Sequence, residues 1–208
     1  MTNILVHGSG HKATSWNETI SYMKNDNEIL YPNLSSILNE KEASYANLYS
    51  SFSEYCNKID GQINLCGLSL GGVLALNYAL DFPEKVNKLV LICTPYKIPK
   101  VMFRVKGIVL RFLPKSLFDN MAFDKKDTYV FGKSILNLDF SNRVRDIKCP
   151  TLIICGSKDS AFLKSSYYFA ENIRDAELKI FENIGHVVNE ENPKALAKEL
   201  DEYYSRNK

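Results

Sequence analysis

The chain has 208 residues, of which 45% are hydrophobic, and its 26 basic and 24 acidic residues give a net charge of +2. This length suits one globular domain with a substantial core, and the near-neutral charge gives no indication of nucleic-acid binding. No apolar run reaches the roughly eighteen residues of a membrane span, so no membrane association through a spanning helix is expected.

Short apolar strand patterns alternate along the chain with helical patterns. The predicted strands are 3–6, 28–31, 63–66, 86–93, 151–155 and 178–181, and the predicted helices are 13–23, 44–59, 70–81 and 193–204. Such alternation is typical of the α/β class, with a parallel sheet covered by helices on both faces. We therefore expect a mostly parallel six-stranded sheet whose ligand site lies at the carboxyl ends of the strands.

One long segment interrupts this alternation. Residues 97–146 contain no clear strand, whereas 100–113 is helical and largely apolar. A connection of this length favours a small helical cap over the strand ends, with a core formed by 1–96 and 147–208; an ordinary crossover helix with long loops is the alternative.

The predicted helix 100–113 has one apolar face, and its opposite side carries two arginines. The apolar residues are Val101, Val105, Ile108, Val109 and Phe112, and the arginines are Arg104 and Arg111. The apolar face is expected to close a pocket, and the alternative is a basic amphipathic helix on an anionic membrane surface.

The most informative stretch is Gly67-x-Ser69-x-Gly71, between the strand 63–66 and the helix 70–81. Strand, sharp turn and helix form the context that a nucleophile elbow requires. A Cβ atom at either glycine is expected to collide with a neighbouring strand or helix, and Ser69 is expected to adopt a strained backbone conformation. The alternative is a Gly/Ser turn that merely links strand to helix.

A serine nucleophile needs a base and a group that orients the base. Of the three histidines, His186 follows the last strand and is the predicted base; a surface-loop histidine is the alternative. Asp159 is the nearest carboxylate after the strand 151–155 and is the predicted acid, with a solvated turn aspartate as the alternative.

An oxyanion formed at the substrate needs two N–H donors. We expect the amide of Leu70, directly after the nucleophile, and the amide of Ser9, in the glycine-rich loop after the first strand. Gly8-Ser9-Gly10 does not fit a phosphate-binding GxGxxG pattern, because Ala13 stands at the third glycine position. His7 is expected to brace this loop by hydrogen bonds.

The motifs together resemble the α/β-hydrolase fold family, and especially its small bacterial serine hydrolases and carboxylesterases. The matching stretches are 5–10 with Trp16, 67–72, 81–86, 156–159, and Gly185-His186 with Glu191 and Pro193. The resemblance implies triad roles for Ser69, Asp159 and His186 and oxyanion roles for Ser9 and Leu70. The chain departs from the family in starting at what would be its third strand, and in having 31–36 where many members have a D-x-x-G-x-G-x-S segment.

The predicted function is hydrolysis of a carboxylic ester or thioester of a small to medium acyl group through an acyl-enzyme. Carbon–carbon bond hydrolysis or elimination on the same fold, and a non-catalytic binding role, are the alternatives. The expected partner is a small-molecule ester, with no cofactor and no metal; the oligomeric state is left open.

The expected location is the cytoplasm. The N-terminus has no basic leader and no long apolar run, so no signal peptide is predicted. The five cysteines are an odd number without metal-ligand spacing, and Cys66, Cys93 and Cys155 fall in or just after apolar strand patterns. They are expected to be free, buried thiols.

Overall fold

The computed structural model describes residues 1–24, 26–100, 113–118, 121 and 123–206. Its centre is a six-stranded sheet in which every neighbouring pair of strands is parallel, in the order β2-β1-β3-β4-β5-β6. The strands are β1 Thr2–Val6, β2 Glu28–Leu30, β3 Ile63–Leu68, β4 Val86–Ile92, β5 Thr151–Gly156 and β6 Ala176–Phe181. The predicted fold class is confirmed, and each predicted strand is present within two residues of its expected bounds.

Eight α-helices lie in the described part of the chain. They are α1 Asn17–Tyr22, α2 Leu34–Leu38, α3 Tyr45–Asn57, α4 Leu70–Asp81, α5 Lys125–Ser134, α6 Ser160–Asn172, α7 Val188–Glu191 and α8 Pro193–Ser205. The helix predicted over 13–23 is partly wrong, because its first turn is a 3-10 turn, Ala13–Trp16, that precedes α1. The helices α2, α6 and α7 were not predicted, and α5 was not predicted as a separate helix within the expected cap.

Two hydrophobic cores lie on opposite faces of the sheet, and side chains alternate between them along each strand. In β3, Leu65 belongs to one core whereas Cys66 and Leu68 belong to the other. The first core includes residues of α3 and α4, and the second includes Trp16 and the buried face of α8. Because both faces are covered, β3 and β5 are buried at every position and appear in the sequence as largely apolar runs.

The segment between β4 and β5 is only partly described. Its described residues include a 3-10 turn at Lys115–Phe118 and the helix α5, and they contribute no strand to the sheet. A single antiparallel bridge joins Lys97 to Asp139 at the two ends of the segment. The helix predicted over 100–113, with its apolar and basic faces, falls almost wholly on residues 101–112, which lie outside the described residues. The cap boundaries remain a prediction.

None of the described helices combines the length and the apolar character that crossing a membrane requires.

Candidate active site

Ser69 occupies the turn between β3 and α4 in an unusual backbone conformation. Its φ of 53° and ψ of −110° lie in a region of backbone conformation that residues other than glycine rarely adopt. The amide of Ser69 donates a 2.8 Å hydrogen bond to the carbonyl oxygen of Ile92, at the end of β4. The predicted strained turn is therefore present, and the neighbouring strand holds it in place.

Close backbone contacts explain the two glycines that flank Ser69. A Cβ atom on Gly67 would lie 2.3 Å from the carbonyl carbon of Gly71, and one on Gly71 would lie 2.2 Å from the carbonyl oxygen of Val6. Both distances are far below any real carbon–carbon or carbon–oxygen contact, so the predicted collisions are confirmed. The absence of side chains lets α4 begin directly against the ends of β1 and β3.

Asp159 and His186 meet at the carboxyl edge of the sheet, although 27 positions separate them in sequence. Asp159 follows β5, where its amide donates to the carbonyl oxygen of Gly156 at 3.0 Å. Its Oδ2 atom lies 2.7 Å from Nδ1 of His186. The carboxylate side chain is only 6% exposed, whereas the imidazole is 33% exposed. With Nδ1–H donating to the carboxylate, Nε2 of His186 is left as a proton acceptor.

The loop that carries His186 is held by Glu191. One oxygen of this carboxylate accepts from the amide of Gly185 at 2.8 Å, and the other accepts from the amide of Val187 at 3.3 Å. Glu191 thus fixes the backbone on both sides of the imidazole. The sequence drew attention to Glu191 as part of a motif but gave no sign of this role, which depends on the turn that α7 makes after His186.

The loop after β1 carries Ser9 to the site, and the buried side chain of His7 holds this loop by hydrogen bonds. His7 is fully buried; its Nδ1 atom lies 2.8 Å from the carbonyl oxygen of Gly8, and its Nε2 atom accepts from the amide of Leu34 at 3.0 Å. Burial lowers the pKa of His7, which favours a neutral ring that donates at one nitrogen and accepts at the other. The expected bracing role of His7 is therefore observed.

A second histidine, His11, also lies in the site and was not among the predicted site residues. Its Nε2 atom lies 3.9 Å from Oε1 of Glu190. Burial lowers the pKa of His11, the nearby Glu190 carboxylate opposes this shift, and the nearby His186 adds to it. The imidazole is thus favoured in its neutral form close to the predicted base.

All five predicted site residues line one cavity of about 800 Å³: Ser9, Ser69, Leu70, Asp159 and His186. The first amides of α4, including that of Leu70, have no partner within the helix and are available to an anion. The far wall comes from the segment between β4 and β5 and is largely apolar; its members include Ile98, Phe123, Phe131, Ile135, Leu136 and Leu138. Among the described lining residues, Lys133 is the sole lysine or arginine.

Comparisons with known proteins agree with the observed fold. A model of the Alpha/beta hydrolase family matches residues 4–199. A 2-hydroxy-6-oxononadienedioate/2-hydroxy-6-oxononatrienedioate hydrolase of Escherichia coli is 26% identical over 89% of this chain and 80% of its own length. Two solved structures share the fold. An esterase from Thermogutta terrifontis has a TM-score of 0.82 and 18% identity, and the match covers 98% of this chain and 89% of the esterase. An enol-lactonase from Burkholderia xenovorans LB400 has a TM-score of 0.81 and 17% identity, and the match covers 99% of this chain and 91% of the enol-lactonase.

Proposed function

Because the chain belongs to the alpha/beta hydrolase family, we propose that it is a serine hydrolase that cleaves a carboxylic ester or thioester of a small to medium acyl group. The observation that carries this proposal is the Asp159–His186 pair, which opens on the same cavity as Ser69. A carboxylate that orients an imidazole beside a strained serine is the arrangement that activates a hydroxyl for attack on a carbonyl carbon.

The proposed reaction has two halves. In the first, Nε2 of His186 takes the proton of the Ser69 hydroxyl as the oxygen attacks the carbonyl, and the same proton passes to the leaving alcohol or thiol. The amides of Ser9 and Leu70 stabilise the negative oxygen of the tetrahedral intermediate. In the second half, His186 removes a proton from water as the water oxygen attacks the acyl carbon. The bond between the acyl carbon and the Ser69 oxygen then breaks, and His186 returns the proton to Ser69.

The apolar wall of the cavity supports an acyl-binding role. Burying one CH₂ group is worth about 0.8 kcal/mol, so kcat/KM should rise roughly fourfold per methylene until the pocket is filled. A p-nitrophenyl ester series from acetate to hexanoate tests this expectation. The variant Leu136→Ala removes part of the wall, and it should flatten the rise while leaving the acetate rate nearly unchanged. A wild-type series that is flat, or that falls from acetate onwards, would contradict an acyl pocket.

A second candidate is hydrolysis of a carbon–carbon bond, which the name of the Escherichia coli relative favours. That name describes a substrate with two carboxylates, whereas the described lining of the present cavity is largely apolar with a single lysine, Lys133. We therefore place the ester reaction first. Product analysis separates the two candidates, because a carbon–carbon hydrolase should convert a 2-hydroxy-6-oxo dienoate and leave the ester series untouched. A protein that turns over neither class and leaves Ser69 unreactive would instead be a non-catalytic binding member.

We further propose that the protein works in the cytoplasm. The support comes from its five cysteines, which are all buried and free of disulfide bonds. Thiol titration of denatured, unreduced protein purified from its native compartment should find five reactive thiols. A single reactive thiol would mean two disulfides and a different compartment.

A further inference from the structure

Two buried thiols, those of Cys93 and Cys155, lie close to each other and to Asp159, the predicted catalytic acid. Cys93 follows β4, and Cys155 lies in β5. The residues that directly precede them, Ile92 and Ile154, are partners in the sheet. The two Sγ atoms lie 3.9 Å apart, and both residues are fully buried. The cysteines are 62 positions apart in sequence, so their spacing there gave no sign of the pair.

The carboxylate of Asp159 comes to the same point. One ligand atom from each of Cys93, Cys155 and Asp159 lies within 4.8 Å of the others. Two thiolates and a carboxylate form a donor set that the borderline cation Zn²⁺ and the soft cation Cd²⁺ accept. Two sulfurs bound to one tetrahedral zinc at about 2.3 Å are separated by about 3.8 Å, which is close to the observed spacing.

The backbone holds this arrangement firmly. Cys93 has a φ of 45°, in the left-handed region that residues other than glycine rarely occupy. Its amide donates to the carbonyl oxygen of Ile154 at 2.9 Å, and the preceding carbonyl, of Ile92, accepts from Ser69. A disulfide would require the sulfurs to approach to about 2.05 Å, whereas a bridging cation fits them where they stand.

We propose that Cys93, Cys155 and Asp159 form an inhibitory site for a thiolate-preferring divalent cation. Binding transfers the two thiol protons to solvent, and the sulfur lone pairs and a carboxylate oxygen are donated to the cation; no group is oxidised or reduced. A cation bound to Asp159 neutralises part of the negative charge with which this carboxylate stabilises protonated His186. Ester hydrolysis therefore slows. The inhibition rests on the proposed hydrolase function, but the binding site itself does not.

Cadmium titration of the fully reduced, full-length protein tests the site without any substrate. Thiolate-to-cadmium charge-transfer absorption, proton release and native mass should all report one cation per chain. The variants Cys93→Ala and Cys155→Ala should each weaken binding roughly tenfold or more, because each removes a ligand. Cys66→Ala is the matched control: it removes another fully buried thiol, from β3, that lies outside the described cluster. Cys93→Ser preserves the side-chain size and is measured beside the alanine variants, with thermal melts of all four.

Inhibition of ester hydrolysis by cadmium should follow the same order as binding across these variants. Equal cadmium affinity in all the proteins, or no binding at all, would overturn the proposal. Inhibition that is equal in all of them would place the cation on His186 or His11 instead, and would also overturn it. A loss of two hydrogens without bound metal, reversed by dithiothreitol, would show a disulfide in its place. If one cadmium binds through both thiols while no ester is cleaved, the site stands and the proposed function fails.

Discussion

The Nδ1 atom of His186 lies 2.7 Å from Oδ2 of Asp159, and this contact joins the loop after β6 to the start of α6. The carboxylate is nearly inaccessible to water, so the hydrogen bond is poorly screened and the ring has little freedom to turn. The orientation of His186, and with it the direction of its second nitrogen, is therefore set by Asp159.

Replacing Asp159 by Asn should remove this control without removing a hydrogen bond. An amide oxygen can still accept from Nδ1, but the negative charge is lost and the amide nitrogen can hold the ring in the wrong tautomer. We expect kcat for a reporter ester to fall by roughly 10⁴-fold. The control Asp60→Asn changes an exposed aspartate far along the chain and should retain wild-type activity. An Asp159→Asn enzyme with ordinary activity would remove Asp159 from the mechanism.

Glu191 should act through the backbone of the His186 loop. Glu191→Ala loses both acceptors of the Gly185 and Val187 amides, whereas Glu191→Gln retains one. A hydrogen bond to a charged group is worth about 1.5–3 kcal/mol, so kcat should fall roughly tenfold or more in the alanine variant and less in the glutamine variant. Because Glu191 is proposed to position His186 and not to bind substrate, KM should change little. A rise in KM with constant kcat would show a different role.

The close approach at Gly71 should make this position intolerant of any side chain. In Gly71→Ala the new methyl group would overlap the carbonyl of Val6, and the free energy of unfolding should fall by about 1–3 kcal/mol or more. Gly132 in α5 is a matched control, because a Cβ there would meet no heavy atom within 4 Å. Gly132→Ala should gain about 1 kcal/mol from helix propensity. Urea unfolding measures both, and equal effects of the two changes would contradict the packing described at the elbow.

Burial of His7 should make stability depend on pH. Its pKa is lowered in the folded protein, so the unfolded chain binds more protons below the ordinary histidine value of about 6.5. The contribution of neutral His7 is therefore present above that value and is lost as the pH falls below it. His7→Gln offers a donor and an acceptor that do not titrate, so the stability advantage of wild type over this variant should shrink between about pH 7.5 and about pH 5. An advantage that is constant over this interval would show that His7 is not held in its neutral form.

The features that the sequence predicted well are those that local patterns determine. The strands β3 and β5 are largely apolar runs because both faces of the sheet are covered, and the turn at Ser69 is marked by glycines at fixed spacing between a strand and a helix. The helix α6 was missed because its buried face includes Ser165 and Ser166, which weaken the apolar periodicity. The wall formed by Phe123, Phe131 and Ile135 was also missed, since its apolar residues are interspersed with charged ones. The role of Glu191 was missed because it depends on how the backbone turns between His186 and α7, which the residue types of this short stretch do not reveal.

Covalent labelling with a fluorophosphonate, followed by peptide mass mapping, tests the proposed nucleophile most directly. The reagent phosphonylates a serine only where a base activates the hydroxyl and an oxyanion site receives the phosphoryl oxygen. The account predicts one adduct per chain, on Ser69, together with complete loss of ester hydrolysis. It further predicts no adduct in Ser69→Ala, whose kcat should fall by roughly 10³- to 10⁶-fold while its thermal unfolding remains cooperative. An unlabelled wild-type protein, an adduct on another serine, or a Ser69→Ala enzyme that hydrolyses the ester at nearly the wild-type rate would contradict it.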